Sequence, residues 1–249
     1  MLRDVRLLCA GYSRVDWSIF KTGNPAGQLV RAPAWMYLLR SDDAVMLVDT
    51  GMPKSCIDNG NYFADPSGEP PLIVPEMRPE DWVEQVLERQ GLTVADIDGL
   101  ISTHWHFDHA GGNQLFRRQP ILVHPLEIEG GRAGAYPPEC SDLSLDYRTI
   151  TDGYRPMPGV TLLHTPGHTP GHLSVYCEPQ GLRPILLTID AAYTTDNWQS
   201  EIPGAQEDPE LGRRSVTRLK EMAAAANAAV FFGHDPDQAS EAAWQPLLG

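Results

Sequence analysis

The chain has 249 residues, 42% of them hydrophobic, and carries 33 acidic against 19 basic side chains, for a formal charge of −14. That apolar content supplies one large core or two small ones and excludes a disordered chain. The acidic balance disfavours nucleic acid and anionic membranes, because neutralising phosphates takes clustered Lys and Arg, and no basic run here exceeds a pair such as Arg213-Arg214.

No stretch reaches the roughly 20 apolar residues that a spanning helix needs. The N-terminus, with Asp4 and the short run Leu7-Leu8-Cys9-Ala10, lacks the length and flanks of a signal peptide, so a cytoplasmic location is expected. Trp35 to Arg40 and Ala44 to Val48 are apolar runs separated by Ser41-Asp42-Asp43, a β-hairpin pattern whose second strand delivers Asp49. Residues 52–78 are rich in Pro, Gly and Asn without a sustained period, and so long a loop is expected to cover a site. Pro79 opens a helix with Glu80 and Asp81 in its first turn, apolar Trp82, Val83, Val86 and Leu87 on one face, and Gly91 to close it. Leu100 and Ile101 lead into a histidine cluster, and Ala110-Gly111-Gly112-Asn113 begins the next expected helix.

The second half repeats this grammar. Strand-like runs occur at Val160 to His164, Leu173 to Cys177 and Pro184 to Ile189, the last again ending on an acid, Asp190. Asp208-Pro209 starts a helix with Leu211, Val216, Leu219 and Met222 expected to face inward, followed by the apolar run Ala229 to Phe232 and His234. The pattern predicts an α/β protein of two similar β-rich halves with helices outside and polar residues at strand ends along one edge. With no linker in the sequence, a single domain over 1–249 is expected. Cys9, Cys56, Cys140 and Cys177 are far apart with no Cys-x-x-Cys, and read as small buried hydrophobes rather than a redox or zinc motif.

The chemistry lies in Thr103-His104-Trp105-His106-Phe107-Asp108-His109, where three imidazoles and a carboxylate supply donors suited to Zn²⁺ or a similar ion. On an extended segment His104 and His106 point the same way and can share one ion, while Asp108 and His109, at the turn into a helix, can address a second. Further candidate ligands stand at strand ends: His168, in a turn stiffened by Pro and Gly, Asp190, whose two oxygens can bridge two cations, and His234. Asp49 is a candidate to hold a ligand histidine's free N–H, and His172 to support the turn that bears His168. His124 and His164 end apolar runs and read as ordinary strand-end residues.

The set His104-x-His106-x-Asp108-His109 with His168, Asp190 and His234 resembles the metal signature of the metallo-β-lactamase superfamily, whose fold is an αβ/βα sandwich of two facing mixed sheets. The segments Leu47 to Pro53, His106 to Asn113, Leu187 to Tyr193, Asp208 to Leu211 and Phe231 to Asp235 extend the resemblance to the N-acyl homoserine lactone lactonases, the quorum-quenching enzymes. The resemblance implies two divalent transition-metal ions, zinc first, with iron, cobalt or manganese accepting the same donors. It puts one ion on His104, His106 and His168 and the other on Asp108, His109 and His234, with Asp190 bridging. It also implies a metal-bridging hydroxide that attacks the lactone carbonyl, Tyr193 facing the developing oxyanion, and Asp108 passing a proton to the leaving ring oxygen.

An acyl chain needs an apolar wall, for which Trp17, Ile19, Phe20, Phe63 and Phe107 are the candidates. The expected partner is a small lactone, bound by a monomer or homodimer. Alternatives on the same scaffold are a lactonase for another ring or a glyoxalase II-like thioesterase, and, outside catalysis, a metal-binding protein whose ions are structural. A β-lactamase is disfavoured because many of that branch carry Cys where Asp190 stands, and a glyoxalase II relative because nothing after His234 resembles its glutathione-binding segment.

Overall fold

The computed structural model describes residues 1–202 and 204–238. Strands β1 (Leu2–Asp16), β2 (Leu29–Ser41), β3 (Val45–Val48), β4 (Ile73–Glu76), β5 (Gly99–Ile101), β6 (Ile121–Val123) and β7 (Tyr147–Thr149) form one sheet in the order β4-β1-β2-β3-β5-β6-β7. Strands β8 (Tyr154–Met157), β9 (Val160–His164), β10 (Leu173–Cys177), β11 (Ile185–Leu187) and β12 (Ala229–Phe231) form the second in the order β12-β11-β10-β9-β8. The helices are α1 (Trp17–Phe20), α2 (Val83–Glu88), α3 (Phe107–Ala110), α4 (Pro125–Arg132), α5 (Thr195–Ser200) and α6 (Pro209–Ala226).

The layering follows from the two-residue period of the strands. On β2, Trp35, Tyr37 and Leu39 pack between the sheets with Val175, Leu187 and Phe231, while Ala34, Met36 and Leu38 face the other way, onto a core that includes Val83 and Leu87 of α2. On β11, Ile185 and Leu187 point to the inter-sheet core and Leu186 meets Leu219 and Ala223 of α6. Helix, sheet, sheet and helix are thus stacked as an αβ/βα sandwich. In each sheet a strand followed by an aspartate pairs in parallel with a strand that leads to a histidine: β3 before Asp49 with β5 before His104, and β11 before Asp190 with β12 before His234. Parallel pairing brings those chain ends to one edge, where ligand sites of such sheets form.

Several local expectations change. Strand β1 had no sequence signal; its burial alternates imperfectly and its pairing with β2 shifts register between Cys9 and Tyr12, around Gly11. Residues 52–78 are not one structureless loop: they contain a 3-10 turn at Lys54–Cys56 and the edge strand β4, which pairs with β1. The expected helix after Ala110 is only a 3-10 turn at Asn113–Phe116. Leu211 is exposed rather than inward because the neighbouring Gly212 takes the inward position, its backbone packed against Gly167. Cys56, Cys140 and Cys177 are buried and all four cysteines are unpaired. The last eleven residues of the expected 1–249 domain lie outside the described residues.

The end of α3 is fixed by close backbone packing at Gly111. A Cβ on Gly111 would lie 2.1 Å from the Pro53 nitrogen and 2.3 Å from the Met52 carbonyl carbon. Gly111→Ala must therefore separate two backbone segments beside the histidine cluster. An overpacking loss of about 1–3 kcal/mol in urea unfolding is expected; an unchanged midpoint would show that this approach is not tight.

Candidate metal centre

The histidine loop leaves β5 through Ser102 and Thr103, both fully buried, and is anchored on Asp49. Asp49 Oδ1 accepts the Thr103 N–H at 2.8 Å, and Oδ2 accepts the Thr103 hydroxyl at 2.8 Å and His109 Nδ1–H at 2.9 Å. Asp49 adopts a left-handed backbone with φ 60°, which a short polar side chain tolerates better than a branched one. Across the sheets, the β9–β10 connection closes through Thr165 N–H to His172 O at 2.9 Å, and Leu173 N–H donates to Thr103 O at 3.1 Å. These bonds hold the loop of His168 against the loop of His104.

The imidazoles point their free nitrogens at one another and at Asp190. His168 Nε2 lies 2.8 Å from His106 Nδ1 and 3.2 Å from His104 Nε2. Asp190 Oδ2 is 3.2 Å from both His168 Nε2 and His234 Nε2, and Oδ1 is 3.3 Å from His109 Nε2. His234 Nε2 is also 3.6 Å from Asp108 Oδ2. Backbone and carboxylate acceptors fix three tautomers: His168 Nδ1–H donates to Ala205 O at 3.0 Å, His234 Nδ1–H to Pro33 O at 2.8 Å, and His109 Nδ1–H to Asp49. In each ring Nε2 is left facing the cluster, where it can ligate a metal once deprotonated.

Three sets within the cluster have donor atoms close enough to hold an ion: His104, His106 and His168; His104, His109 and Asp190; and Asp108, His109 and His234. The donors fit a cation chemically. Burial, then the neighbouring imidazoles, hold His104 and His106 well below the ordinary histidine pKa, so both rings are neutral ligands. Burial works against the charge of Asp190, but His234 and His109 outweigh it and keep the carboxyl ionised. Burial also opposes charge on His109 and His234, and there Asp190 prevails and raises both. The buried atoms His109 Nε2 and Asp190 Oδ1 lie 3.3 Å apart without a well-aligned hydrogen bond, and neither has a hydrogen-bond partner elsewhere. An imidazole nitrogen and a carboxylate oxygen left without aligned bonds in a dry site are costly, and a cation between them would complete both.

The cluster floors a cavity of about 400 Å³. Its walls include Ile19, Phe20, Phe63 and Phe107, and also Val15, Ala32, Ala34 and Ile73, which sequence reasoning missed because strands β1, β2 and β4 deliver them from outside any motif. Trp17, expected in the wall, is not among the lining residues; its indole stacks on the lining residue Phe20 at 5.4 Å between ring centroids. Tyr193 lines the cavity, and its hydroxyl donates to Ala205 O at 3.1 Å while lying 3.1 Å from His168 Nδ1. His172 does more than brace its turn: its Nδ1 faces Thr165 and its Nε2 accepts the Asp190 N–H at 3.0 Å. His124 and His164 stack at 3.9 Å away from the cavity.

His172→Phe would leave the Asp190 N–H buried and unpaired, at a cost of about 1–3 kcal/mol. Chemical unfolding of the metal-free protein should show that loss, with part of it recovered in His172→Gln; equal stability of His172→Phe and the unmodified chain would remove His172 as the support of Asp190.

The sequence matches the model of the metallo-beta-lactamase superfamily over residues 30–234. It is 43% identical over 230 residues to an N-acyl homoserine lactonase of a Bacillus species, spanning 92% of both chains. It is 42% identical over 238 residues, 95% of both chains, to the N-acyl homoserine lactonase AiiA of Bacillus thuringiensis subsp. kurstaki. The fold superposes with a TM-score of 0.90 and 39% identity, over 96% of this chain and 95% of the other, on an N-acyl homoserine lactone hydrolase with the product N-hexanoyl-L-homoserine bound at its catalytic metal centre. A variant of B. thuringiensis AiiA with N-decanoyl-L-homoserine at its active site superposes with a TM-score of 0.91 and 39% identity, over 96% of this chain and 95% of that one. Fold, cluster and similarity over nearly the whole length agree: the chain belongs to the N-acyl homoserine lactonase family of the metallo-beta-lactamase superfamily.

Proposed function

We propose that this protein is a dinuclear metal-dependent lactonase that opens N-acyl homoserine lactones to N-acyl homoserines. The observation that carries the reading is an apolar cavity whose floor is the His and Asp cluster. His104, His106 and His168 would hold one ion, Asp108, His109 and His234 the other, and Asp190 would touch both through its two oxygens. Zinc suits these nitrogen and oxygen donors, and iron, cobalt and manganese accept the same set. Bound there, divalent cations supply a Lewis acid for the ester carbonyl and a water of lowered pKa at neutral pH.

The chain's own residues account for binding, orientation and proton movement. The acyl chain lies against Ile19, Phe20, Phe63 and Phe107, and among the described residues no Lys or Arg lines the cavity, which favours a neutral ligand over an anionic one. Burial, then Asp190 and Asp108, raise the Tyr193 phenol well above its usual pKa, so the hydroxyl stays protonated and can donate to a carbonyl oxygen as charge develops on it. Ring opening breaks the bond between carbonyl carbon and ring oxygen, and that oxygen needs a proton. Asp108 lines the cavity with a side chain 15% exposed, and its carboxylate is placed to take a proton from the attacking water and deliver it. The four unpaired cysteines suit a reducing compartment, so we place the enzyme in the cytoplasm. Among the described residues no helix is long and apolar enough to cross a membrane.

Proton release followed with acyl homoserine lactones, a thioester and a β-lactam, before and after chelation and metal restoration, tests the reading. Lactone turnover lost on chelation and regained with metal is expected, and Tyr193→Phe should keep its metal while kcat falls about tenfold or more. Preference for the thioester or β-lactam would overturn the substrate, and chelator-insensitive turnover would overturn the metal centre.

A further inference from the structure

Helix α4 carries a fully buried carboxylate, Glu127, whose hydrogen-bond partners are all neutral. Its Oε2 accepts the Trp105 N–H at 3.1 Å. Its Oε1 accepts the Gly171 N–H at 2.9 Å and the Thr169 hydroxyl. Taking a carboxylate out of water costs several kcal/mol unless its lone pairs are satisfied, so an ion placed here has to be used by the groups around it. Those groups come from two loops far apart in sequence. Trp105 stands between His104 and His106, and Thr169 directly follows His168. The approach is close: a Cβ on Gly171 would sit 2.7 Å from the Glu127 nitrogen and 2.8 Å from its Oε1.

We propose that Glu127 is a positioning residue for the three-histidine half of the metal centre, tying the loop of His104 and His106 to the loop of His168 and so fixing the separation of their nitrogens. It holds no donor of the Asp108, His109 and His234 half. Its effect is therefore asymmetric between the two ions. Outer groups that orient ligands typically change metal affinity about 10–100-fold when altered. Glu127→Gln keeps the volume but turns an NH₂ toward either the Trp105 N–H or the Thr169 and Gly171 donors, so one loop is released.

The inference rests on the metal centre proposed above, and equilibrium binding of cobalt(II) to the metal-free protein, read by calorimetry and visible absorption, separates the two. In a His234→Ala background, where the three-histidine half remains, Glu127→Gln should weaken the remaining ion about 10–100-fold. In a His106→Ala background it should leave the remaining ion unchanged, and Glu129→Gln, exposed on the same helix, should change neither. Should Glu127→Gln fail to fold, Thr169→Val removes one of the three bonds and should give the same pattern, smaller. Equal weakening of both ions, or lowered thermal stability with unchanged cobalt affinity, would reduce Glu127 to a structural residue and overturn the inference. A parent chain that takes up no cobalt would overturn the metal centre instead.

Discussion

The fold is arranged around one buried carboxylate. Asp190 is 3% exposed at the seam of the two sheets, and within 3.7 Å its oxygens meet nitrogens of His104, His109, His168 and His234, which arrive from three separate parts of the chain. An anion in such a place is tolerable only if positive charge or donors surround it. In the chain alone, protonated imidazoles supply that charge, since Asp190 raises His109 and His234 against the effect of burial. A divalent cation held by these residues would replace shared protons with a denser charge and so couple metal binding to the positions of the rings. The parallel pairs β3–β5 and β11–β12 are what bring the contributing strand ends to the same edge.

Around that core the outer contacts are of two kinds. Asp49, Pro33 O and Ala205 O set tautomers, each accepting a ring N–H so that the other nitrogen faces the cluster. Thr103, His172 and Glu127 instead fix backbone: Thr103 donates twice to Asp49, His172 accepts from the Asp190 amide, and Glu127 spans two loops. Rigid support of this sort suits hydrolysis at a fixed centre, because small displacements of positioned groups are costly to rate. The apolar wall is made differently, with Phe63 and Phe107 packed ring to ring and backed by Tyr62, and Phe20 set edge-on to Tyr193.

Legibility in the sequence tracked how local each feature is. His104, His106, Asp108 and His109 were visible as a group because their chemistry is crowded into one short segment. Asp190 and His234 could be picked out because each follows an apolar run, although only the resemblance joined them into one ligand set. Strands β9 and β10 matched their apolar runs residue for residue, whereas β1 was missed because a register shift and Gly11 interrupt its alternation. Trp17 stands one layer behind the lining residue Phe20, a placement set by a four-residue helix too short to show a period. Glu127 left no trace at all, since its partners are backbone amides and a hydroxyl 22 to 44 positions away, and any residue type there offers the same amide.

In the proposed metal centre two ions share Asp190 at the junction of the sheets. The most direct measurement is an anomalous difference map from crystals of the protein purified with zinc, collected at the zinc absorption edge. Two peaks are expected, one in contact with His104, His106 and His168, the other with Asp108, His109 and His234, and Asp190 touching both. A single peak, or two peaks of which one lies away from Asp190, would contradict it.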